Sequence, residues 1–299
     1  MSAQIEYIPA KSILQRTRDS SWFGADYNMN IYRGCSHGCI YCDSRSDCYH
    51  NDRFEQVKAK ADALRIIRDE LARKVKPGVA ATGSMSDPYN PFEGSLLLTR
   101  HALTLLEAYG FGAAIATKSD LITRDIDILS SIQRTMPVIC KLTVTTCDDG
   151  LAAKIEPRAP SPGRRLTALE ELSKAGLFTG VLMMPVLPFL EDSADNIRAV
   201  VNRAADAGAR FVYPALGMTC RTGQREFFLR QLESRFPGRD LAARYRRRYA
   251  SRYYCPVPNA RALWDVFQEQ CGRRGLLYSM GHIIAASRRG YETPQLSLF

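Results

Sequence analysis

Short, almost continuously apolar segments recur along the chain and alternate with longer amphipathic ones. Five apolar segments are rich in small and β-branched residues, as is typical of parallel strands buried on both faces. They are 79–86, 112–119, 138–146, 179–188 and 209–217. Helical spacing of apolar residues from Phe54 to Val75 predicts an amphipathic helix that Pro77 and Gly78 end.

Strands that alternate with helices in this way predict right-handed βαβ units around a parallel sheet. The pattern alone leaves open whether the sheet forms a complete or partial barrel or a doubly wound open sheet. In such barrels the chemistry gathers at the carboxyl ends of the strands. Polar stretches follow three predicted strands: SMSDPYNPFE, TKSD and PVLPFLED. We therefore expect the functional site at that end of the sheet.

Composition narrows the class of protein. The 299-residue chain, with 45% hydrophobic and 24% charged residues, is long enough for one large α/β domain or two smaller ones. No apolar run approaches the ~20 residues of a membrane-spanning helix, and the first residues lack a signal peptide's apolar core. We expect a cytoplasmic protein with no membrane contact. Thiols stay reduced there, so nine clustered cysteines indicate metal binding or redox chemistry.

Four cysteines lie in the sequence YRGCSHGCIYCDSRSDC, residues 32–48. Three of them follow a C-x3-C-x2-C spacing: Cys35, Cys39 and Cys42. A structural zinc site would need a fourth ligand, which Cys48, His37 or His50 could supply. A ferredoxin-like cluster would prefer C-x2-C-x2-C with a further cysteine. The third interpretation is a four-iron, four-sulfur (4Fe-4S) cluster held by three cysteines, which leaves one iron free.

This spacing, with glycines beside two cysteines and Tyr41 before the third, resembles the signature of the radical S-adenosylmethionine (SAM) superfamily. The resemblance implies an enzyme with a partial (β/α)6-type barrel that uses a 4Fe-4S cluster and SAM. In that superfamily the cluster, reduced by an external electron donor, cleaves SAM to methionine and a deoxyadenosyl radical. The radical takes a hydrogen atom from the substrate. Gly34 and Gly38 would let the backbone wrap closely around the cluster.

Over most of the chain, the order of motifs is similar to the spore photoproduct lyase branch of that superfamily, described as DNA-repair lyase-like. The shared motifs are NIYRGCSHGCIYC, GSMSDPYNPFE, ATKSDLITRDIDIL, IEPRAPSPGRRL and VLMMPVLPFLED. The resemblance implies that Tyr41 stacks on the adenine of SAM and that Ser86, Asp87 and Lys118 lie near SAM. For Ser86 and Asp87, a structural turn is the alternative.

The motif IEPRAPSPGRRL carries charges that resemble ion pairs and substrate-side arginines of the same branch; surface salt bridges are the alternative. They are Glu156, Arg158, Arg164 and Arg165. Two residues depart from the branch. Ser84 stands where the lyases have the cysteine that returns a hydrogen atom, and Asp43 replaces an aromatic residue. We therefore expect a related radical reaction on another lesion or substrate, with the hydrogen donor open among Cys140, Cys147 and Met85.

The net charge of +10 is unevenly distributed, because residues 221–252 hold ten arginines and only three acidic residues. Arginine binds phosphates and tyrosine stacks on bases, so the segment suits a nucleic acid. A solvated basic helix face is the alternative. The candidate nucleic-acid-binding residues are Arg244, Arg246, Arg247, Arg248 and Arg252.

The chain ends in QLSLF, which resembles the peptide by which bacterial polymerases and repair proteins bind the DNA sliding clamp. Gln295 would form hydrogen bonds, while Leu296, Leu298 and Phe299 would fill an apolar cleft. A tail folded back on its own domain is the alternative.

We expect a monomer. Its chain should have three parts: a radical SAM core over 1–220, a basic helical part over 221–290 and a tail over 291–299. Our first hypothesis is a lyase-like radical SAM enzyme that acts on DNA or another nucleic acid in a repair-like reaction. The second hypothesis is a radical SAM enzyme that modifies tRNA, a peptide or a small molecule. The third is a non-catalytic, zinc-containing nucleic-acid-binding protein.

Overall fold

The computed structural model describes residues 5–51, 53–74 and 76–291. The strands in these ranges are β1 (Glu6–Ile8), β2 (Leu14–Arg16), β3 (Tyr27–Met29), β4 (Tyr32–Arg33), β5 (Lys58–Lys60), β6 (Val79–Thr82), β7 (Gly112–Thr117), β8 (Val138–Thr143), β9 (Thr179–Met183), β10 (Phe211–Pro214), β11 (Gly217–Thr219) and β12 (Tyr254–Pro256). The helices are α1 (Ala63–Ala72), α2 (Glu93–Leu96), α3 (Leu98–Ala108), α4 (Ile126–Gln133), α5 (Asp149–Ile155), α6 (Pro162–Lys174), α7 (Ala194–Asp206), α8 (Gln224–Arg235), α9 (Leu241–Tyr249), α10 (Ala260–Arg274) and α11 (Met280–Arg288).

A seven-stranded sheet in the order β10-β9-β8-β7-β6-β3-β2 organises the molecule. Its first six strands are parallel, and β2 joins β3 antiparallel at the edge. Helices α1, α3, α4, α6 and α7 all contribute to one hydrophobic cluster on one face of the sheet. A doubly wound sheet would carry helices on both faces. The predicted partial (β/α) barrel is therefore confirmed.

The opposite face of the sheet is covered by the N-terminal segment and the last helix. Phe23 and Ile283 of α11 pack there against Val79, Ile139 and Phe211. This filling closes the amino-terminal half of the barrel interior. At the carboxyl ends of the strands the same face opens into a cavity, where small or polar residues such as Gly83, Ala116 and Thr143 lie at the strand ends or just beyond them.

All five predicted strands are present, but each ends before the predicted boundary. The polar residues that close the predicted segments, such as Ser86 and Ser119, lie in loops beyond the last pairing of β6 and β7. The residues that were predicted as strand but lie in these loops are thus at the carboxyl end of the sheet, where the functional site was expected.

The helix predicted to begin at Phe54 was wrong over its first turns. Residues Lys58–Lys60 form β5, which pairs parallel with β1 and antiparallel with β4, and α1 begins only at Ala63. Val57 and Ala59 are buried at strand spacing. Pairing on both edges overrides the helical spacing of the apolar residues.

Helices α8 and α9 and the β11–β12 ladder pack against the cysteine loop. One hydrophobic cluster joins Cys39 and Tyr41 of the loop to Phe228 of α8 and Tyr245 of α9. In the described part of the chain, no helix is long and apolar enough to cross a membrane.

Candidate active site

The loop between β4 and a short 3-10 turn at Asp43–Arg45 carries the three motif cysteines. Gly34, just before Cys35, has a φ of +81°, and a Cβ there would lie 2.6 Å from the carbonyl oxygen of Gln56. The amide of Cys35 donates a hydrogen bond of 2.8 Å to the Phe54 carbonyl. Only glycine allows this close approach.

Backbone and side-chain hydrogen bonds hold the cysteine loop from three directions. The amide of Ile40 donates to the Ile155 carbonyl at 2.9 Å, and the amide of Arg158 donates to the His37 carbonyl at 3.0 Å. From α8, the buried side-chain amide of Gln224 donates to the Tyr41 carbonyl at 2.7 Å. The positions of the cysteines are therefore set by segments distant in sequence.

All three motif cysteines line one cavity of about 410 Å³, within the ~300–1,000 Å³ of ordinary ligand pockets. Burial raises the pKa of the Cys35 and Cys39 thiols to about 12 and that of Cys42 to about 11. A thiolate is stable there when a cation binds it. Cys48 does not line this cavity; its exposed sulfur contacts Arg221 and Ser46.

The donor set fits an iron–sulfur cluster, which thiolates hold, each on its own iron. In the described residues, no three His, Cys, Asp or Glu side chains are grouped as ligands of one metal ion. This does not conflict with a cluster, because its cysteine ligands bind different iron atoms and need not lie as close together as the ligands of one metal ion.

The carboxyl ends of the strands complete the cavity, as expected for this fold. Among the lining residues that follow or end these strands are Gly83, Ser84, Ser86, Asp87, Thr117, Lys118, Thr143 and Met184. All four predicted SAM-site residues therefore lie on the cavity that holds the cysteines: Tyr41, Ser86, Asp87 and Lys118.

Asp87 joins the cysteine loop to the strand ends. Its carboxylate lies 3.0 Å from Nε2 of His37 and accepts hydrogen bonds from the Thr117 hydroxyl at 2.6 Å and the Lys118 amide at 2.9 Å. Burial would raise the pKa of Asp87, but His37 and these donors outweigh it and lower the pKa to about 2. Asp87 is therefore an anion fully engaged in positioning.

Glu156 is the centre of a buried ion network that includes two cavity-lining residues, Tyr41 and Lys118. It accepts a hydrogen bond from the Tyr41 hydroxyl, pairs with Arg165 at 2.6 Å and lies 3.8 Å from Nζ of Lys118. Burial alone would lower the pKa of Lys118, but the neighbouring Cys39 sulfur and the Glu156 carboxylate raise it. A fixed positive charge thus faces the cavity.

The expected SAM contacts of Tyr41 and Ser86 are compatible with their surroundings. The Tyr41 ring lies under Nζ of Lys118, 5.6 Å from the ring centroid. Ser86 donates its hydroxyl proton to the Tyr32 carbonyl at 2.9 Å, which leaves its oxygen lone pairs as acceptors.

Three exposed large side chains surround the mouth of the cavity. Trp22 is 46% exposed, Met85 is 43% exposed and Tyr254 is 44% exposed, and all three line the opening. Exposed apolar side chains gathered in one place mark binding surfaces. Neither composition nor spacing marks these three as neighbours, since they come from distant parts of the chain.

The three candidate hydrogen donors occupy different positions. Met85 lines the cavity, whereas Cys140 is fully buried in β8 against the helix-covered face, and Cys147 is half-buried outside the cavity. Ser84, which stands in place of the lyase cysteine, also lines the cavity. Among the described residues, the motif cysteines are the only cysteines that line this cavity.

The predicted basic face is present on α9, but two tyrosines of the same helix do not belong to it. Arg244, Arg246, Arg247 and Arg248 are exposed, as is Arg252 after the helix. Tyr245 and Tyr249 are buried in the core beneath them. Acidic neighbours partly neutralise the face, since Arg246 pairs with Glu233 at 2.9 Å and Arg247 with Asp240 at 3.1 Å.

The charges of the IEPRAPSPGRRL motif form one buried ion pair and two surface salt bridges. Arg158 pairs with Glu55, while Arg164 pairs with Asp120 at 2.5 Å. Arg165 is the buried partner of Glu156. The tail residues Gln295, Leu296, Leu298 and Phe299 lie outside the described residues.

The fold and the cysteine-lined cavity define a class of enzyme. The family model of the radical SAM superfamily matches residues 29–203, and the chain belongs to this superfamily. Its members use a 4Fe-4S cluster and SAM.

Two sequence relatives show how far the similarity extends. An uncharacterized protein of Mycobacterium tuberculosis is 31% identical over 253 residues, which are 82% of this chain and 74% of that protein. An uncharacterized protein of Methanocaldococcus jannaschii is 31% identical over 196 residues, 64% of this chain and 72% of that protein.

Solved structures share the fold. Spore photoproduct lyase complexed with dinucleoside spore photoproduct has a TM-score of 0.63 and 16% identity, covering 92% of this chain and 81% of that one. The radical SAM methyltransferase TsrM from Kitasatospora setae, with cobalamin and a 4Fe-4S cluster bound, has a TM-score of 0.56 and 11% identity, covering 89% and 62%. At these identities the likeness extends to the fold alone.

Proposed function

We propose that this protein is a radical SAM enzyme that acts on a nucleic acid, with Cys35, Cys39 and Cys42 as the ligands of its 4Fe-4S cluster. When bound, the cluster and SAM supply a deoxyadenosyl radical that removes a hydrogen atom from the substrate. The chain's own residues bind, orient and exclude water.

Each residue near the proposed SAM site has a physical role. Lys118, held as a cation by Glu156, would attract the SAM carboxylate. The lone pairs of Ser86 would accept from the SAM ammonium group, and the Tyr41 ring would contact the adenine. Asp87 acts as a positioning residue, because its oxygens are occupied by His37 and the ends of β7.

The single observation that carries the nucleic-acid substrate is the mouth of the cavity. Flat or polarizable faces at Trp22, Met85 and Tyr254 suit an unstacked base, and base–aromatic stacking contributes ~1–3 kcal/mol per base. Arg221 lies between the rings of Tyr49 at 5.5 Å and Tyr253 at 5.4 Å, and 3.8 Å from the carboxylate of Asp43, which lines the cavity. An extruded base stacked at the mouth would present its edge to the cavity.

The proposed reaction differs from spore photoproduct repair in its last step. A cavity lined by Ser84 offers a hydroxyl, whose O–H bond is too strong to return a hydrogen atom to a carbon radical. The substrate would therefore be another lesion or nucleotide, processed by a repair-like lyase reaction or a related one.

We also propose that the tail from Gln295 to Phe299 binds a DNA sliding clamp. The support is the QLSLF sequence itself and the proposed nucleic-acid substrate. Reduction of the cluster would require an external electron donor.

The test is anaerobic SAM cleavage measured with and without nucleic acid. Protein reconstituted with iron and sulfide is reduced with dithionite, and 5′-deoxyadenosine is quantified with SAM alone and with damaged or undamaged oligonucleotides. We expect product from the wild type, more of it with the right oligonucleotide, and none from the triple alanine variant of the motif cysteines. Cys48→Ala, outside the cavity, is the matched control and should retain activity.

The mouth is tested with Trp22→Ala combined with Tyr254→Ala. This variant should lose the oligonucleotide stimulation but retain basal SAM cleavage, while Trp264→Ala, another exposed tryptophan, should retain both. If oligonucleotides still stimulate SAM cleavage by the mouth variant, the mouth does not bind the nucleic acid, and the main support for a nucleic-acid substrate is lost. A colourless, zinc-containing protein that never cleaves SAM would overturn the radical enzyme.

A further inference from the structure

A second cavity, of about 240 Å³, adjoins the candidate active-site cavity on the side of Met85. The two cavities share Ser44, Phe54 and Met85 in their walls. These three side chains therefore lie between the two cavities.

The second cavity is called the middle cavity below, because a third cavity adjoins its other side. Its charged lining residues are positive. Arg33 and Lys60 are the charged residues among those that line it, and neither forms an ion pair with a residue in the described ranges. Arg33 donates instead to the carbonyl oxygens of Tyr49 and His50. Asn30 lines the same cavity, and its buried Oδ1 has no hydrogen-bond partner among the described residues. The lining therefore offers two cations and a buried acceptor.

A third cavity, of about 440 Å³, continues beyond Phe54 and Asn51, which it shares with the middle one. Its basic residues are Arg45, Arg53 and Arg230, and its acidic residues are Asp47 and Glu55.

Two features of the third cavity favour an anion. The Arg45 side chain is only 9% exposed, lies over the rings of Phe54 at 5.0 Å and Phe227 at 4.2 Å, and has a buried Nε with no partner among the described residues. Glu55 is already neutralised, since Arg45 and Arg158 both pair with it. Within the ranges described, Arg53 and Arg230 form no ion pair.

We propose that the three connected cavities form one groove, in which the middle and third cavities hold the phosphodiester backbone next to the nucleotide that reacts. The inference rests on the proposed nucleic-acid substrate and adds the path of the strand. Arginine and lysine inside concave pockets suit a chain of phosphates.

The test compares binding of a short fluorescent single-stranded oligonucleotide to the full-length protein over a range of salt. Arg33→Gln with Lys60→Gln should weaken binding about tenfold or more at low salt, because charge-assisted contacts are lost. The slope of log K against log salt should fall by about 0.7 for each contact removed. Arg53→Gln with Arg230→Gln is a second, more exposed variant that keeps the test valid if the first one misfolds.

The matched control is Arg261→Gln with Arg273→Gln on α10, outside all three cavities, which should bind like the wild type. Wild-type affinity and slope in both groove variants would overturn the groove and leave the proposed function standing if oligonucleotides still stimulate SAM cleavage. No binding or stimulation by nucleic acid in the wild type would overturn both. Equal binding of a mononucleotide, lost in the same variants, would overturn the strand path.

Discussion

At the residue scale, Asp87 shows how one carboxylate can fix a cofactor loop. It is buried, and its partners come from the loop at His37 and from the end of β7 at Thr117 and Lys118. We expect Asp87→Asn to lower the free energy of unfolding by about 2 kcal/mol, because charge-assisted hydrogen bonds become neutral ones. It should also reduce the iron retained per chain after reconstitution.

Thermal unfolding and iron and sulfide analysis of purified protein measure these two effects. Asp127→Asn, an exposed aspartate paired with Arg100 at 2.6 Å, is the control and should retain its iron. Full iron content in Asp87→Asn would contradict the positioning role.

Lys141 is a buried lysine in β8 with its Nζ 4.6 Å from the Phe23 ring centroid. Burial lowers its pKa to about 7. The unfolded chain keeps this proton up to about pH 10 whereas the folded chain loses it near pH 7, so stability from this group rises with pH across that window.

Lys141→Met should therefore stabilise the protein at pH 7 by ~2 kcal/mol, less any cation–π attraction lost. The stabilisation should shrink as the pH rises toward 10. Chemical denaturation of both proteins at several pH values measures this difference. A constant difference would mean that Lys141 is charged in the folded protein throughout.

The sequence could identify the three motif cysteines because their spacing is local. It could not identify His37 as the partner of Asp87, or Trp22 as a neighbour of Tyr254, because long-range folding creates these contacts. Residues that act through tertiary contacts leave no local periodicity.

At the element scale, α9 separates two kinds of residue that look alike in the sequence. Tyr245 and Tyr249 recur at helical spacing and are buried, whereas the arginines between them face outward. The tyrosines therefore serve the core rather than a nucleic acid. Their spacing of four residues, read as one face of a helix, could have indicated this.

Replacement of Arg246, Arg247 and Arg248 by glutamine should leave the fold intact and weaken nucleic-acid binding. On the same single-stranded oligonucleotide, each lost phosphate contact should lower the salt slope by about 0.7. Because Arg246 and Arg247 already pair with acidic neighbours, we expect a smaller effect than from the groove variants. Fluorescence anisotropy over a salt series measures both. Unchanged binding would show that this face is only solvated.

The strands were predicted more accurately than the helix that was expected to begin at Phe54. Apolar runs such as β7 and β8 are buried on both faces, so burial alone predicts them. In contrast, β5 has only three residues and depends on pairing with β1 and β4. Such an element is set by its neighbours, which a local pattern does not contain.

At the scale of the whole molecule, removal of residues 295–299 tests clamp binding separately from SAM cleavage. The shortened protein should lose retention on an immobilised bacterial sliding clamp while its melting temperature and SAM cleavage stay unchanged. A matched variant with Gln295→Ala and Phe299→Ala should behave alike, because it removes one polar and one apolar anchor. Equal retention of all three proteins would exclude clamp binding through this tail.

The amide of Gln224 connects the helical part after residue 220 to the cysteine loop, through hydrogen bonds to the carbonyls of Tyr41 and Thr219. Phe228 and Tyr245 cover the apolar side of the same loop. The helices that follow the barrel are thus a wall of the cysteine site. If the cysteines hold the proposed cluster, the residues that stabilise the fold would also shield iron and sulfide from dioxygen, and a substitution that loosens this wall would weaken both properties together.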